Sequence, residues 1–462
     1  MKLLLRLAPT SRAILTACFL FFTYLVVRAF TQLDLEGYDF LYYHLPFALK
    51  MYGATTYQLF PWLGDLYEAY PPIAHAVQGF LVWSTGYAPL ANSIGALAVL
   101  LLLTTVHLGE GRKGSAGFFL LAFLSVPLLV RHTWLGLIDL WLGCFLALSF
   151  YGFYKWETHK RLSWLWRTGL FLAVACYSKY QAWPVAAVIL VGLLYSSLST
   201  RNYEASKIIV VIGVVCAGWP LYNWIRFSNP CYPYPLPFFP ELPNTVNFDR
   251  IASRFMPPWM DPYPKSLRFV ISFLELSRLN FRAPQMIWAN AGWQPGEIKN
   301  FHYQLGGMSM YSMVLLIPAA YYSYRKKILP KLTAIVFVTS VTAVSMLSQS
   351  HEMRYWLFIP LVLCIFFSLL MTTSVLTQRQ RYQLQLMLAL SAVYTIANTE
   401  CFRLDYRPMT QKIPDEAIEF WQMSEAHPIE SVIVIDVPWE KAIFWSGPKF
   451  NRYRVVLPEF KP

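Results

Sequence analysis

Apolar stretches close to twenty residues long recur along this chain from Ser11 to Asn398. An α-helix needs about 20 such residues to cross roughly 30 Å of hydrocarbon. Only 14% of the 462 residues are charged and 56% are hydrophobic, against about 25% charged in soluble domains. The short alternating segments of a transmembrane barrel are missing. The sequence therefore predicts an all-α polytopic membrane protein of about eleven transmembrane helices, with outward juxtamembrane loops and a small α/β-like C-terminal tail. Its net charge of +13 does not imply nucleic acid, because excess Lys and Arg mark cytoplasmic loops in such proteins. The cysteines (18, 144, 176, 216, 231, 364 and 401) show no metal spacing, and only Cys231 and Cys401 fall where an oxidising compartment could pair them.

Taken in order, Ala13–Phe30 forms a first crossing, read as an uncleaved anchor with Lys2, Arg6 and Arg12 inside. A loop follows to about Tyr70, with Asp34, Glu36, Asp39, Asp65 and Glu68 beside Lys50 alone. The short piece Ile73–Trp83 is read as interfacial. Crossings are expected at Ala88–His107, Ala116–Val130 and Leu135–Tyr154. Residues 168–198 are read as two helices broken around Tyr177–Pro184, since proline disrupts a helix interior. Lys207–Trp224 leads to a long outer loop, 226–307, carrying an amphipathic segment at Ser266–Leu279. Met308–Tyr324, Leu332–Leu347, Tyr355–Thr373 and Tyr382–Ala397 complete the set.

This arrangement gives seventeen Lys and Arg in the inner segments and four (Lys50, Arg131, Lys179, Arg354) in short outer turns, as the positive-inside rule requires. It places the N-terminus in the cytoplasm and the C-terminus outside, in what is read as a bacterial inner membrane. The division expected is a bundle over 1–398, with outer loops 31–86 and 226–307, and a small segment 399–462 whose strand-like runs are Ser431–Ile435 and Tyr453–Leu457.

Under this topology the ionisable residues gather at one level. Asp139 lies sixteen residues before Lys155, about 24 Å along a helix, near the outer end of its crossing. Lys179 occupies the break between helices, and His351-Glu352-Met353-Arg354 a turn between crossings. All face the compartment of Asp39. Each has an ordinary alternative: Asp39 as a solvated loop acid, Asp139 paired with Arg131, Lys179 snorkelling to headgroups, Arg354 as an anchor and His44 as an interface histidine. His302 and Tyr303 are weaker candidates still. Outer-face carboxylates with outer-face cations suit a lipid-borne phosphate. If a sugar hangs on such a phosphate, the leaving group needs cations rather than a general acid. One carboxylate then suffices to take the proton of an acceptor hydroxyl, whereas glycoside hydrolysis expects two.

The stretches YDFLYYHLP, YPPIAHAVQGFLVWSTGY, GLIDLWLGCFLALSFY, YSKYQAWP, SNPCYPYP and HEMRYWLFIPLVL, in this order, resemble the type C superfamily of membrane glycosyltransferases. The likeness is to those using polyprenyl-phosphate sugars, especially protein O-mannosyltransferases and lipid A aminoarabinose transferases. The resemblance implies inverting transfer on the extracytoplasmic side, from a polyprenyl-phosphate sugar donor to a lipid, glycan or protein acceptor. Membrane lipids would be its surroundings, and nucleic acid is no partner. By position, Asp39 would be the catalytic base and Asp139 a second site carboxylate. Lys179 and Arg354 would bind the carrier phosphate, with Tyr43, His44 and His351 as further substrate-binding residues. Many members carry Asp-Glu in the first loop, whereas Phe40 follows Asp39 here. That favours a base over a metal ligand, and no cofactor is assigned, although a divalent metal stays open. The alternatives are a transporter or lipid flippase and a non-catalytic envelope subunit. A transporter would place its charges at the midplane and show repeated halves; neither is visible.

Overall fold

The computed structural model describes residues 9–31, 39–55, 61–111, 114–234, 241–244, 256, 260–275, 306–398, 419, 432–434 and 454–456. Asp34, Glu36, His302, Tyr303, Cys401 and most of the C-terminal segment lie outside them. The helices are α1 (Pro9–Thr31), α2 (Leu45–Met51), α3 (Pro61–Ala69), α4 (Ile73–Thr85), α5 (Ile94–Glu110), α6 (Ser115–Leu124), α7 (Pro127–His132), α8 (Asp139–His159) and α9 (Leu162–Cys176). They continue with α10 (Ala182–Ser199), α11 (Tyr203–Cys216), α12 (Gly218–Phe227), α13 (Lys265–Phe273), α14 (Met310–Arg325), α15 (Lys331–Ser345), α16 (Phe358–Thr372) and α17 (Gln378–Asn398). A π-helical turn, Phe40–His44, precedes α2, and 3₁₀ turns at Ala88–Ser93 and Met353–Trp356 precede α5 and α16. In the tail, β1 (Val432–Val434) and β2 (Arg454–Val456) pair in parallel, Val432 opposite Arg454.

The interior is built from helices that are apolar all round. In α6, α8 and α16 almost every residue is buried, including the whole run Asp139–Trp156. Such helices need neighbours on every side, and α8 finds them in α5, α9, α10, α15 and α16. Close approach depends on small residues, as in lipid-embedded bundles: a Cβ at Gly143 of α8 would stand 2.9 Å from the Leu357 side chain ahead of α16. The outer helices bury one face only. On the other, Leu20, Val27, Leu170, Val191, Val210, Val214, Leu221, Ile225, Val338, Leu390 and Val393 are exposed. Apolar surface on this scale is not left facing water; lipid is its solvent. Among the described residues, four helical stretches are long and apolar enough to cross a membrane: Pro9–Thr31, Ala88–Glu110, Ala182–Ser199 and Tyr203–Phe227. Shorter apolar helices stand at Ser115–Leu124, Leu162–Cys176, Lys331–Ser345 and Phe358–Thr372. The chain is an integral, polytopic helical membrane protein.

Two expected crossings are not single straight helices. The third, Ala116–Val130, is interrupted because Val126 precedes Pro127 and takes an extended conformation (φ −106°, ψ 107°), which proline imposes on its predecessor. The seventh is divided at Ala217 between α11 and α12, just before Pro220. The 168–198 region is two helices, with a turn at Tyr177–Gln181 between them. Pro184 itself sits in the first turn of α10, where its missing N–H costs nothing.

Candidate active site

Asp139 is the first residue of α8, a position where the helix dipole favours negative charge. Its Oδ1 accepts a hydrogen bond from the Lys179 ammonium at 2.5 Å. Lys179 comes from the α9–α10 turn, which α8 also holds through a Trp141 Nε1 bond to Ser178 Oγ at 3.0 Å. Both side chains of the pair are at most 5% exposed. Asp139 therefore pairs with Lys179, forty residues away in the chain, rather than with nearby Arg131. Burial pulls the Lys179 ammonium down from its ordinary range, and Asp139 opposes that pull.

Asp39 and Arg354 form a second pair. The Arg354 Nη1 donates to Asp39 Oδ2 at 2.7 Å, and Nη2 donates to the Tyr355 hydroxyl at 2.7 Å. Arg354 is 8% exposed, whereas Asp39 is 24% exposed, so this carboxylate can be reached from outside. The Nε edge of the guanidinium faces Glu352 Oε2 at 3.5 Å. Glu352 is 1% exposed, and burial pushes its carboxyl up to about 7 against the opposing effect of Arg354.

The two pairs meet at Tyr355. Lys179 Nζ lies 4.5 Å from the centre of that ring and Arg354 Cζ 4.7 Å, both within cation–π range. Residues 39, 139, 179 and 354, drawn from four separate parts of the chain, thus share one cluster. Among the described residues no three His, Cys, Asp or Glu side chains are grouped to hold a metal ion. Asp39 and Asp139 each face a cation instead of each other, which does not fit a metal centre.

Tyr43 and His44 belong to the π-helical turn. Tyr43 is partly exposed and its ring centre lies 4.1 Å from that of His44. His44 is fully buried, its Nδ1 2.7 Å from Nε2 of His75 on α4. Burial holds both imidazoles well below their usual range, His75 at about 3, so the pair is neutral at physiological pH. His351 is buried in the turn before Arg354, where its carbonyl accepts from Ser272 Oγ of α13 at 2.6 Å.

The turn, the loop and α12 are joined at one peptide group. The Ala69 carbonyl lies 2.5 Å from the Tyr180 hydroxyl, and it accepts from Trp219 Nε1 at 2.8 Å and Asn223 Nδ2 at 3.2 Å. On the other side, Gln78 of α4 donates to the carbonyl of Gly136 at 2.8 Å. Gly136 lies flat against the Phe40 ring, where a Cβ would overlap it. These contacts set the segment carrying Asp139 against the turn carrying Asp39.

Sequence reasoning missed Tyr355, His75 and Tyr180, and it named Glu352 in its turn without giving it a role. Tyr355 stands beside Arg354, and an aromatic directly after a cation in that turn was the available signal. His75, in contrast, carries no mark in an apolar stretch.

No protein-family model matches the chain, and no curated protein matches it. Two solved structures do, both of ArnT from Cupriavidus metallidurans. The apo structure aligns with a TM-score of 0.56 at 13% identity, over 96% of this chain and 85% of that one. The structure bound to undecaprenyl phosphate gives 0.56 at 13% identity, over 98% and 87%. Across nearly its whole length, the chain thus carries the fold of ArnT, a lipid A aminoarabinose transferase of the type C glycosyltransferase superfamily that its motifs resemble.

Proposed function

We propose that this protein is a membrane glycosyltransferase moving a sugar from a polyprenyl-phosphate carrier to an acceptor hydroxyl, with inversion, on the extracytoplasmic face of a bacterial inner membrane. One observation carries the reading: two buried cations, Lys179 and Arg354, flank a single aromatic ring, each bearing a carboxylate. Such a site suits an anion at the leaving position and a base beside it. The shared fold with a protein seen bound to undecaprenyl phosphate supports a polyprenyl-phosphate carrier.

In this scheme Arg354 and Lys179 hold the phosphate and steady the charge that grows as the sugar–phosphate C–O bond breaks. The acceptor oxygen forms the new bond at the opposite face of the anomeric carbon, and its proton passes to Asp39, the more exposed carboxylate. Asp139 fixes the Lys179 ammonium from behind. Tyr43 offers its partly exposed ring to substrate, while His44 and His351 act from beneath, buried in the turns that carry Tyr43 and Arg354. The proposal keeps eleven crossings, the inward N-terminus, the bundle over 1–398 and the outer segment 399–462. The acceptor class (lipid, glycan or protein) is set by parts of the outer face beyond this cluster.

The test compares purified wild type with Asp39→Asn for sugar release from polyprenyl-phosphate donors. Asp39→Asn is expected to lower turnover by about 10²–10⁴-fold, the usual contribution of a general base. Equal turnover would remove Asp39 from the role. Uptake of substrate into liposomes without transfer would favour a transporter.

A further inference from the structure

Glu352 carries a carboxyl group that the scheme above leaves without a task. Three acceptors on described residues face the Arg354 guanidinium: Asp39 at Nη1 (2.7 Å), the Tyr355 hydroxyl at Nη2 (2.7 Å) and Glu352 at Nε (3.5 Å). They differ in how firmly they are held. Glu352 is wholly buried, its backbone N–H donating to the Gln349 carbonyl at 3.1 Å. Its neighbour His351 is bonded through its carbonyl to Ser272, which in turn accepts from Gly306 N at 2.9 Å. Asp39, at the edge of its loop and 24% exposed, is the acceptor that a phosphate can displace. Phosphate and carboxylate compete for the same guanidinium edge.

Charge sets a second condition. Among the described residues, three carboxyl groups (Asp39, Asp139, Glu352) and two cations (Lys179, Arg354) stand around Tyr355. With every acid ionised the cluster is already negative, and a phosphate makes it more so at separations where one unit charge matters strongly. Removing the charge of Glu352 offsets this while leaving the Lys179–Asp139 pair in place.

We propose that Glu352 is a positioning residue that holds Arg354 by its Nε edge and takes up a proton from bulk water as polyprenyl phosphate binds, while the phosphate displaces Asp39 from Nη1. The inference rests on the donor reading above and deepens it. Asp39 then becomes available to the acceptor hydroxyl only while a carrier occupies the site, which ties proton removal to donor binding. The groups facing Glu352 are Arg354 and Tyr355 on its own turn, Asp39 beside the π-helical turn, Lys179 from the α9–α10 turn and Asp139 from α8. Burial already raises its carboxyl to about 7, so the proton is gained near physiological pH.

The experiment measures undecaprenyl phosphate binding to the full-length, detergent-purified protein between about pH 5.5 and 8.5. Wild-type affinity is expected to fall about tenfold more than that of Glu352→Gln between about pH 6 and 8.5. The second ionisation of the lipid phosphate is common to both proteins and cancels in the comparison. The sign follows from linkage: below about 7 Glu352 is already protonated and binding is flat, whereas above it each binding event must also capture a proton. Glu352→Asp keeps the carboxyl but draws it back from Nε. It is expected to bind more weakly at every pH while retaining the pH dependence, and it serves if the glutamine variant does not fold. Parallel curves for wild type and Glu352→Gln, or a flat curve for Glu352→Asp, overturn the assignment of Glu352 and leave the donor reading standing. A wild-type protein that binds no undecaprenyl phosphate at any pH overturns both.

Discussion

At the level of single side chains, the Lys179–Asp139 pair is buried on both sides. Removing one partner of a buried pair leaves the other as an uncompensated charge, at a cost of about 3–5 kcal/mol, whereas removing both is often nearly neutral. Lys179→Met is therefore expected to lower thermal stability in detergent by that amount, and adding Asp139→Asn to recover most of it. Transfer activity should stay lost in the single and double variants alike, because the ammonium is missing from both. If the double variant melts no higher than the single, the pair does not carry its charges across this contact. Neither this pairing nor Asp39–Arg354 was legible in the sequence as a contact. The partners lie 40 and 315 positions apart, and spacing along a chain says nothing about such distances. What could be read was the level: charged residues at the ends of apolar runs, on one predicted side.

Elements were more legible than contacts, because lipid enforces long apolar runs that show directly in sequence. The turn Tyr177–Gln181 falls within the expected break at Tyr177–Pro184, and the helix Lys265–Phe273 covers the first part of the expected segment Ser266–Leu279, with its C-cap at Leu274. The π-helical turn at Phe40–His44 was not foreseen, since no periodicity distinguishes it from an α-helical entry to α2. Its position depends on Gly136, whose missing side chain admits the Phe40 ring. Gly136→Ala is expected to push that ring aside and shift Asp39, which directly precedes it. Overpacking of this kind costs about 1–3 kcal/mol. The variant should accordingly lose transfer activity by a larger factor than Gly213→Ala, whose added Cβ would meet nothing within 4 Å. Equal activity of the two variants would show that the Phe40–Gly136 contact does not place the carboxylate.

For the whole molecule, orientation in the membrane decides which compartment the cluster opens to. The charge asymmetry of the loops predicts that Asp261, exposed beside α13, lies outside and that Lys326, exposed after α14, lies inside. With Cys231 and Cys401 replaced by serine, Asp261→Cys is expected to react with an impermeant maleimide on intact cells. Lys326→Cys should react only after permeabilisation. The reverse pattern would invert the protein and place its carboxylates in the cytosol.

The Ala69 carbonyl acts on this same scale. A backbone oxygen cannot be deleted by changing the residue that owns it, so the joint it forms between the first loop, the α9–α10 turn and α12 can be weakened only through Tyr180, Trp219 or Asn223. Trp219 and Asn223 both reach that oxygen from α12, so the loss of either leaves the other in place. Among the described residues Tyr180 alone brings the α9–α10 turn to it, so a substitution there has no such companion.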